Sequence, residues 1–202
     1  MSKLSPDSIQ QDQMWMQFAL AEAETAIYRT RPNPAVGCVI VKNHQIVGRG
    51  ATAPVGGSHA EVFALKQAGD QAQGATAYVT LEPCAHYGRT PPCANGLVEA
   101  GISRVVIACS DPNPLVAGKG VQILKNAGIE VLQGVCEAQA AAQNRGFLKA
   151  IATGMPYVRL KVASSLDGRT AMASGESKWI TGTEARQDVQ HWRAISGVVI
   201  TG

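Results

Sequence analysis

"LEPCAHYGRTPPC" (residues 81–93) holds Cys84 and Cys93 with eight residues between them, and "HAE" upstream supplies His59 and Glu61. A fold for this chain has to settle what these thiols do. A disulfide is disfavoured. The five cysteines are an odd number, and "MSKLSPDSIQQDQ" lacks the apolar centre of a signal peptide, so the expected compartment is the cytoplasm, where thiols stay reduced. A metal clamp fits better. One imidazole and two thiolates leave the fourth position of tetrahedral zinc open, which separates catalytic from structural zinc. Bringing the three together asks for a strand ending near Cys84 and helices starting near His59 and Cys93. Helix N-termini also favour thiolates.

The surrounding pattern can supply those elements. "DQMWMQFALAEAETAIYRT" reads as a helix with Met14, Phe18, Ala21 and Thr25 along its apolar face. "VGCVIV" and "QIVGRG" read as a hairpin. "SHAEVFALKQAG" reads as a helix capped by Ser58. Then follow strand "ATAYVTLEP", helix "CANGLVEAG", strand "RVVIACS", helix "GKGVQILKNAG", strand "IEVLQG" and one long helix "EAQAAAQNRGFLKAIATG". Alternating strands and helices favour an α/β sandwich with parallel pairing. Hydrophobic residues at 46% can build its core, and a net charge of +3 without a basic run calls for no nucleic acid. No apolar run is long enough to cross a membrane. "TGMPYV" reads as a junction. Past it, "YVRLKVASS" and "GVVITG" read as strands flanking the helix "GTEARQDVQHWRAI", the opening of a second domain whose remainder is missing. Cys38, Cys109 and Cys136 read as buried thiols.

Glu61 separates the functional alternatives. A structural zinc site has no use for a carboxylate beside its ligand. A hydrolytic site needs a group that takes a proton from the attacking water and delivers it to the leaving group. His-x-Glu followed by Pro-Cys and a second Cys is the pattern of zinc-dependent nucleobase deaminases. A deaminase of another base or nucleoside, and a structural zinc module recruiting a partner, are the competing readings. The module would need a fourth protein ligand, and the sequence has no second Cys or His pair at zinc-finger spacing.

With its eight-residue insertion between the cysteines, and with "RPNPAVGCVIV", "HAE", "TLEPCAHYGRTPPC", "DPNPLVAGKG", "KVASSLDGRTA" and "SGESKWIT", the chain resembles the bifunctional riboflavin-biosynthesis deaminase/reductases from about residue 12 onward. The resemblance implies two domains. Residues 1–153 would form a zinc-dependent pyrimidine deaminase with a cytidine-deaminase-like three-layer sandwich. Residues 154–202 would be the truncated start of a dihydrofolate-reductase-like α/β domain using NADPH. The implied substrate is a diamino-ribosylamino-pyrimidinone 5′-phosphate, with no nucleic-acid or membrane partner and room for a homo-oligomer.

Carried over by position, His59, Cys84 and Cys93 match the zinc ligands and Glu61 the proton shuttle. Asn33 falls where the family holds the pyrimidine, although it also reads as a turn residue between prolines. His86, Arg89 and Asn113 are further contacts, with Arg89 suited to the phosphate or equally a solvated loop residue. Thr52 stands where the family often has histidine. In the tail, Ala163 and Trp179 correspond to NADPH contacts, and Ser177 and Arg193 to reductase substrate contacts, with Lys161 and Asp167 as additional candidates. Trp179 also reads as a packing aromatic and Arg193 as a helix-surface charge. Two strand-like segments are too few for a cofactor cleft, so deamination without reduction is the expectation.

Overall fold

A computed structural model describes residues 6–87, 91–113 and 116–201, with side chains from residue 8. The chain divides into two compact units, Met1–Pro156 and Tyr157–Gly202.

The first unit follows the alternating pattern. Helix α1 (Pro6–Glu24) precedes the hairpin β1 (Gly37–Lys42) and β2 (Gln45–Ala51). Asn43 and His44 close the hairpin with φ of 50° and 59°, the two positive values of a two-residue type I′ turn. Then come α2 (Ala60–Ala68), a short 3-10 turn, β3 (Thr76–Leu81), α3 (Cys93–Glu99), β4 (Arg104–Cys109), α4 (Lys119–Asn126), β5 (Glu130–Gln133), α5 (Glu137–Gln143) and α6 (Arg145–Thr153). The strands form one sheet in the order β2-β1-β3-β4-β5. β1 pairs antiparallel with β2 and β3, whereas β3, β4 and β5 run parallel. α1 and α5 pack on one face; α2 packs on the other, where it meets α3, and α3 meets α4. Three layers result, and the side chains of β1, β3 and β4 (Val39, Ile40, Val79, Val105, Val106, Ile107) are buried between them.

Small residues set how closely the layers approach. A Cβ on Gly50 would lie 2.3 Å from the Ala60 carbonyl oxygen, and one on Gly48 would lie 2.1 Å from that of Ala64. The backbone of α2 therefore rests directly on β2, which only glycine permits. This fixes the first turn of α2, where Glu61 sits.

Several expectations need correction. The buried stripe of α1 is Asp12, Trp15, Met16, Ala19 and Ala23, whereas Met14, Phe18, Ala21 and Thr25 are exposed. Both stripes have helical spacing, so periodicity alone does not choose between them. Ala19 decides, because its carbonyl lies 1.9 Å from where a Gly37 Cβ would stand. Asp12 adds a buried polar anchor: it takes two hydrogen bonds from Arg104 (2.7 and 2.8 Å) and one from the Tyr78 hydroxyl (2.9 Å). The residue capping α2 is His59, not Ser58, and it makes no side-chain cap bond. The long C-terminal helix is two helices, broken at Asn144 (φ −114°, ψ 23°). Cys38 and Cys109 are buried, but Cys136 is only half-buried and has positive φ before α5.

In the second unit, α7 (Thr183–Ala194) forms as expected. The segments read as strands, 157–165 and 197–201, have no strand structure. A strand needs a paired neighbouring strand, and among the described residues neither segment is part of a sheet. Their apolar side chains are exposed, Leu160 at 86% and Ile200 at 91%. Arg159 stacks on the Trp192 ring (3.7 Å to the centroid) and Arg186 on that of Trp179 (4.6 Å).

Candidate metal centre and active site

The site lies beyond the carboxyl end of β3, where open α/β sheets commonly bind ligands. β3 ends at Leu81, and Glu82, Pro83 and Cys84 continue off the sheet. Cys93 opens α3. Its N–H donates to Cys84 Sγ (3.3 Å), and the Ala94 N–H donates to the Cys84 carbonyl (3.2 Å), so the helix start and the strand end are tied together. His59 has extended backbone at the start of α2, and its Nδ1 stands 3.2 Å from Cys93 Sγ and 3.6 Å from Cys84 Sγ. The three ligand atoms lie within 4.8 Å of one another.

This donor set fits zinc. Ordinary Zn–S and Zn–N bonds at a tetrahedral angle place N and S about 3.6 Å apart, close to the two separations seen here. Among the described residues the cluster has three members, so a tetrahedral ion would keep one position open.

The electrostatics suit a cation. Hydrogen bonding from Cys93 pulls the Cys84 thiol far down, and His59 pulls it further. Cys93 is pushed up, first by that same bond to Cys84 and then by burial. Zinc takes both sulfurs as thiolates, so a bound ion would displace thiol protons. His59 is raised, chiefly by its bond to Cys84. Glu61, in the first turn of α2, is only 3% exposed, and burial pushes its carboxyl above the usual range.

A cavity of about 210 Å³ opens over this cluster, lined by His59, Glu61 and Cys84. Asn33, His86 and Asn113 line it too, so three of the four further deaminase contacts expected from the sequence share one cavity with the cluster. The fourth, Arg89, lies outside the described residues. Thr52 also reaches the wall, but its Oγ1 accepts the Val36 N–H (3.0 Å) and donates to the Val36 carbonyl (3.3 Å). It serves the backbone there.

Glu82, Asp111 and Phe147 complete parts of the wall and were missed in the sequence. Glu82 is buried and accepts the Gly118 (3.2 Å) and Val121 (3.4 Å) N–H groups at the start of α4. Asp111 accepts the Asn113 N–H (2.8 Å), and burial, with Glu82 nearby, pushes its carboxyl up. Acidic residues just past the ends of two parallel strands were the available signal.

The tail candidates stand differently. Lys161, Asp167, Ser177, Trp179 and Arg193 are exposed, and Ala163 is half-buried. Asp167 is occupied locally by Ser165 and Arg169.

Residues 9–109 match the cytidine and deoxycytidylate deaminase zinc-binding region, and residues 156–202 match the RibD C-terminal domain. The riboflavin biosynthesis protein RibD of Haemophilus influenzae is 60% identical over 191 residues, 95% of this chain and 51% of that protein. The structure of Acinetobacter baumannii RibD superposes with a TM-score of 0.88 at 74% identity, over 94% of this chain and 53% of that one. A Thermotoga maritima structure, a diaminohydroxyphosphoribosylaminopyrimidine deaminase/5-amino-6-(5-phosphoribosylamino)uracil reductase, gives 0.86 at 41% identity, over 92% and 54%. The chain thus spans about half the length of these relatives. It belongs to the zinc-binding cytidine and deoxycytidylate deaminase family, in the line of the riboflavin-biosynthesis deaminase/reductases.

Proposed function

We propose that the chain hydrolyses the 2-amino group from 2,5-diamino-6-ribosylamino-4(3H)-pyrimidinone 5′-phosphate, in the cytoplasm, as a step of riboflavin formation. One observation carries the reading: a buried carboxylate, Glu61, shares a cavity with a three-donor zinc-type cluster and with side chains able to hold a base edge. His59, Cys84 and Cys93 would hold the ion. Zinc bound there would supply Lewis acidity that makes water nucleophilic near neutral pH.

The chain's own groups do the rest. Glu61 takes a proton from the attacking water at a carboxylate oxygen and gives it to the departing amine. Carbon–oxygen bond formation and carbon–nitrogen cleavage then release ammonia and leave a ring carbonyl. The amides of Asn33 and Asn113 can donate and accept along the ring edge. Glu82 and Asp111 add acceptors to the wall, which suits a ring rich in N–H groups. Arg89 is the group we assign to the phosphate, by bidentate contact.

Residues 1–153 are in this reading the deaminase domain, and 154–202 the opening of an NADPH-dependent reductase domain. Ala163 and Trp179 would face NADPH there, and Lys161, Asp167, Ser177 and Arg193 the ribosyl substrate. That half of the chemistry belongs to a complete reductase domain. The test is ammonia release measured with the diaminopyrimidine phosphate beside cytidine, guanine and adenosine. Preference for any of the last three would overturn the substrate assignment.

A further inference from the structure

The segment that brings Asn33 to the cavity is held from outside in an unusual way. Three consecutive backbone N–H groups, of Ala35, Val36 and Gly37, are each accepted by a buried side chain from a different part of the chain. The acceptors are Asn144 Oδ1 (2.9 Å), Thr52 Oγ1 (3.0 Å) and Thr80 Oγ1 (3.0 Å). Thr52 adjoins β2 and Thr80 belongs to β3, so they are sheet neighbours of β1. Asn144 is not part of the sheet. It lies 109 residues from Ala35, at the break between α5 and α6, and is 7% exposed. Its amide also donates from Nδ2 to the Ala35 carbonyl (2.8 Å). One side chain therefore satisfies both backbone groups of Ala35, itself buried.

Asn144 joins two walls of one cavity. On one side of the bond pair, Ala35 follows Asn33 and Pro34, which line the cavity. On the other, Phe147 lies three residues beyond Asn144 and lines it too. We propose that Asn144 is a positioning residue for the substrate ring: it sets the distance between the Asn33–Pro34 rim and the Phe147 wall, and so the seat of the ring over Glu61. This rests on the deaminase reading above. Asn suits the task because its amide offers one acceptor and donors in a fixed plane, matching the carbonyl and N–H of one residue. Groups that only align a substrate act on binding and near-attack geometry, and small misplacements are costly.

The test compares Asn144→Ala and Asn144→Asp with the unaltered chain. Asn144→Asp keeps the acceptor for the Ala35 N–H and loses the donor to its carbonyl, so it carries the test if Asn144→Ala does not fold. Two readouts are taken: steady-state ammonia release, and hydrogen exchange of residues 33–37 without ligand. In Asn144→Ala we expect kcat/KM to fall about tenfold or more, with KM raised and kcat lowered as the ring sits off Glu61. Zinc content should be unchanged, and residues 33–37 should exchange faster while β3 and β4 keep their protection. Asn144→Asp should shift both readouts in the same directions, by less. An unchanged KM with only a lowered melting temperature would make Asn144 merely structural and overturn the proposal. Unchanged exchange in residues 33–37 would overturn it as well. If the unaltered chain releases no ammonia, the deaminase reading fails instead, and the exchange measurement still decides whether Asn144 holds the rim.

Discussion

Glu61 is buried at the first turn of a helix that glycines press onto the sheet, beside one imidazole and two thiols. A carboxylate in that position needs a purpose, since burial without a partner is costly. Glu61→Gln keeps the shape and the hydrogen-bonding reach while removing proton transfer. It should retain zinc and melting behaviour and lose about 10²–10⁴ in kcat; retention of most activity would remove Glu61 from the chemistry. The zinc-type trio and this carboxylate were legible in the sequence because residue type and spacing both narrow the choices. Thr52, Glu82, Asp111 and Asn144 were less so: Thr52 was singled out without its role, and the other three were not. Each does its work through backbone groups or through a neighbour far along the chain, and such partners are invisible to local pattern.

At the scale of elements, the type and order of nearly every helix and strand in residues 6–153 followed from period, turns and glycine stops. What failed was phase and partnership. The sequence of α1 carries two helical stripes, and the buried one is fixed by contact with Gly37 and by the Asp12–Arg104–Tyr78 network, whose partners Gly37, Tyr78 and Arg104 lie outside α1. Removing that anchor should be expensive. Arg104→Met leaves Asp12 buried with only the Tyr78 hydroxyl, and should cost about 3–5 kcal/mol in denaturant unfolding. The same network makes a pH prediction. Burial first, then Asp12, raises the Tyr78 phenol above its usual value. The folded chain keeps a proton that the unfolded chain releases above about pH 10, so stability should fall as pH rises past that point. Tyr78→Phe should flatten this fall. Packing of α2 offers a third test. Gly50→Ala puts a methyl 2.3 Å from a backbone oxygen. It should lower stability by about 1–3 kcal/mol and reduce activity with it, by displacing the turn that carries Glu61.

For the whole molecule, a three-layer unit and a second unit whose two strand-like segments join no sheet among the described residues predict unequal behaviour. Apolar side chains fill the sheet core, so chelation should abolish activity and leave far-UV circular dichroism largely intact; global unfolding on chelation would mark a structural zinc instead. NADPH should show no saturable binding to these 202 residues, and deamination should survive removal of residues 157–202. The strand character of the second unit was misread because apolar alternation describes a strand only where a partner exists. The most direct test of the central claim is ammonia released from 2,5-diamino-6-ribosylamino-4(3H)-pyrimidinone 5′-phosphate by zinc-loaded protein, with metal content measured on the same sample. We predict one zinc per chain and stoichiometric ammonia from this substrate. Protein that carries one zinc, is fully folded, and releases no ammonia from it would contradict the account.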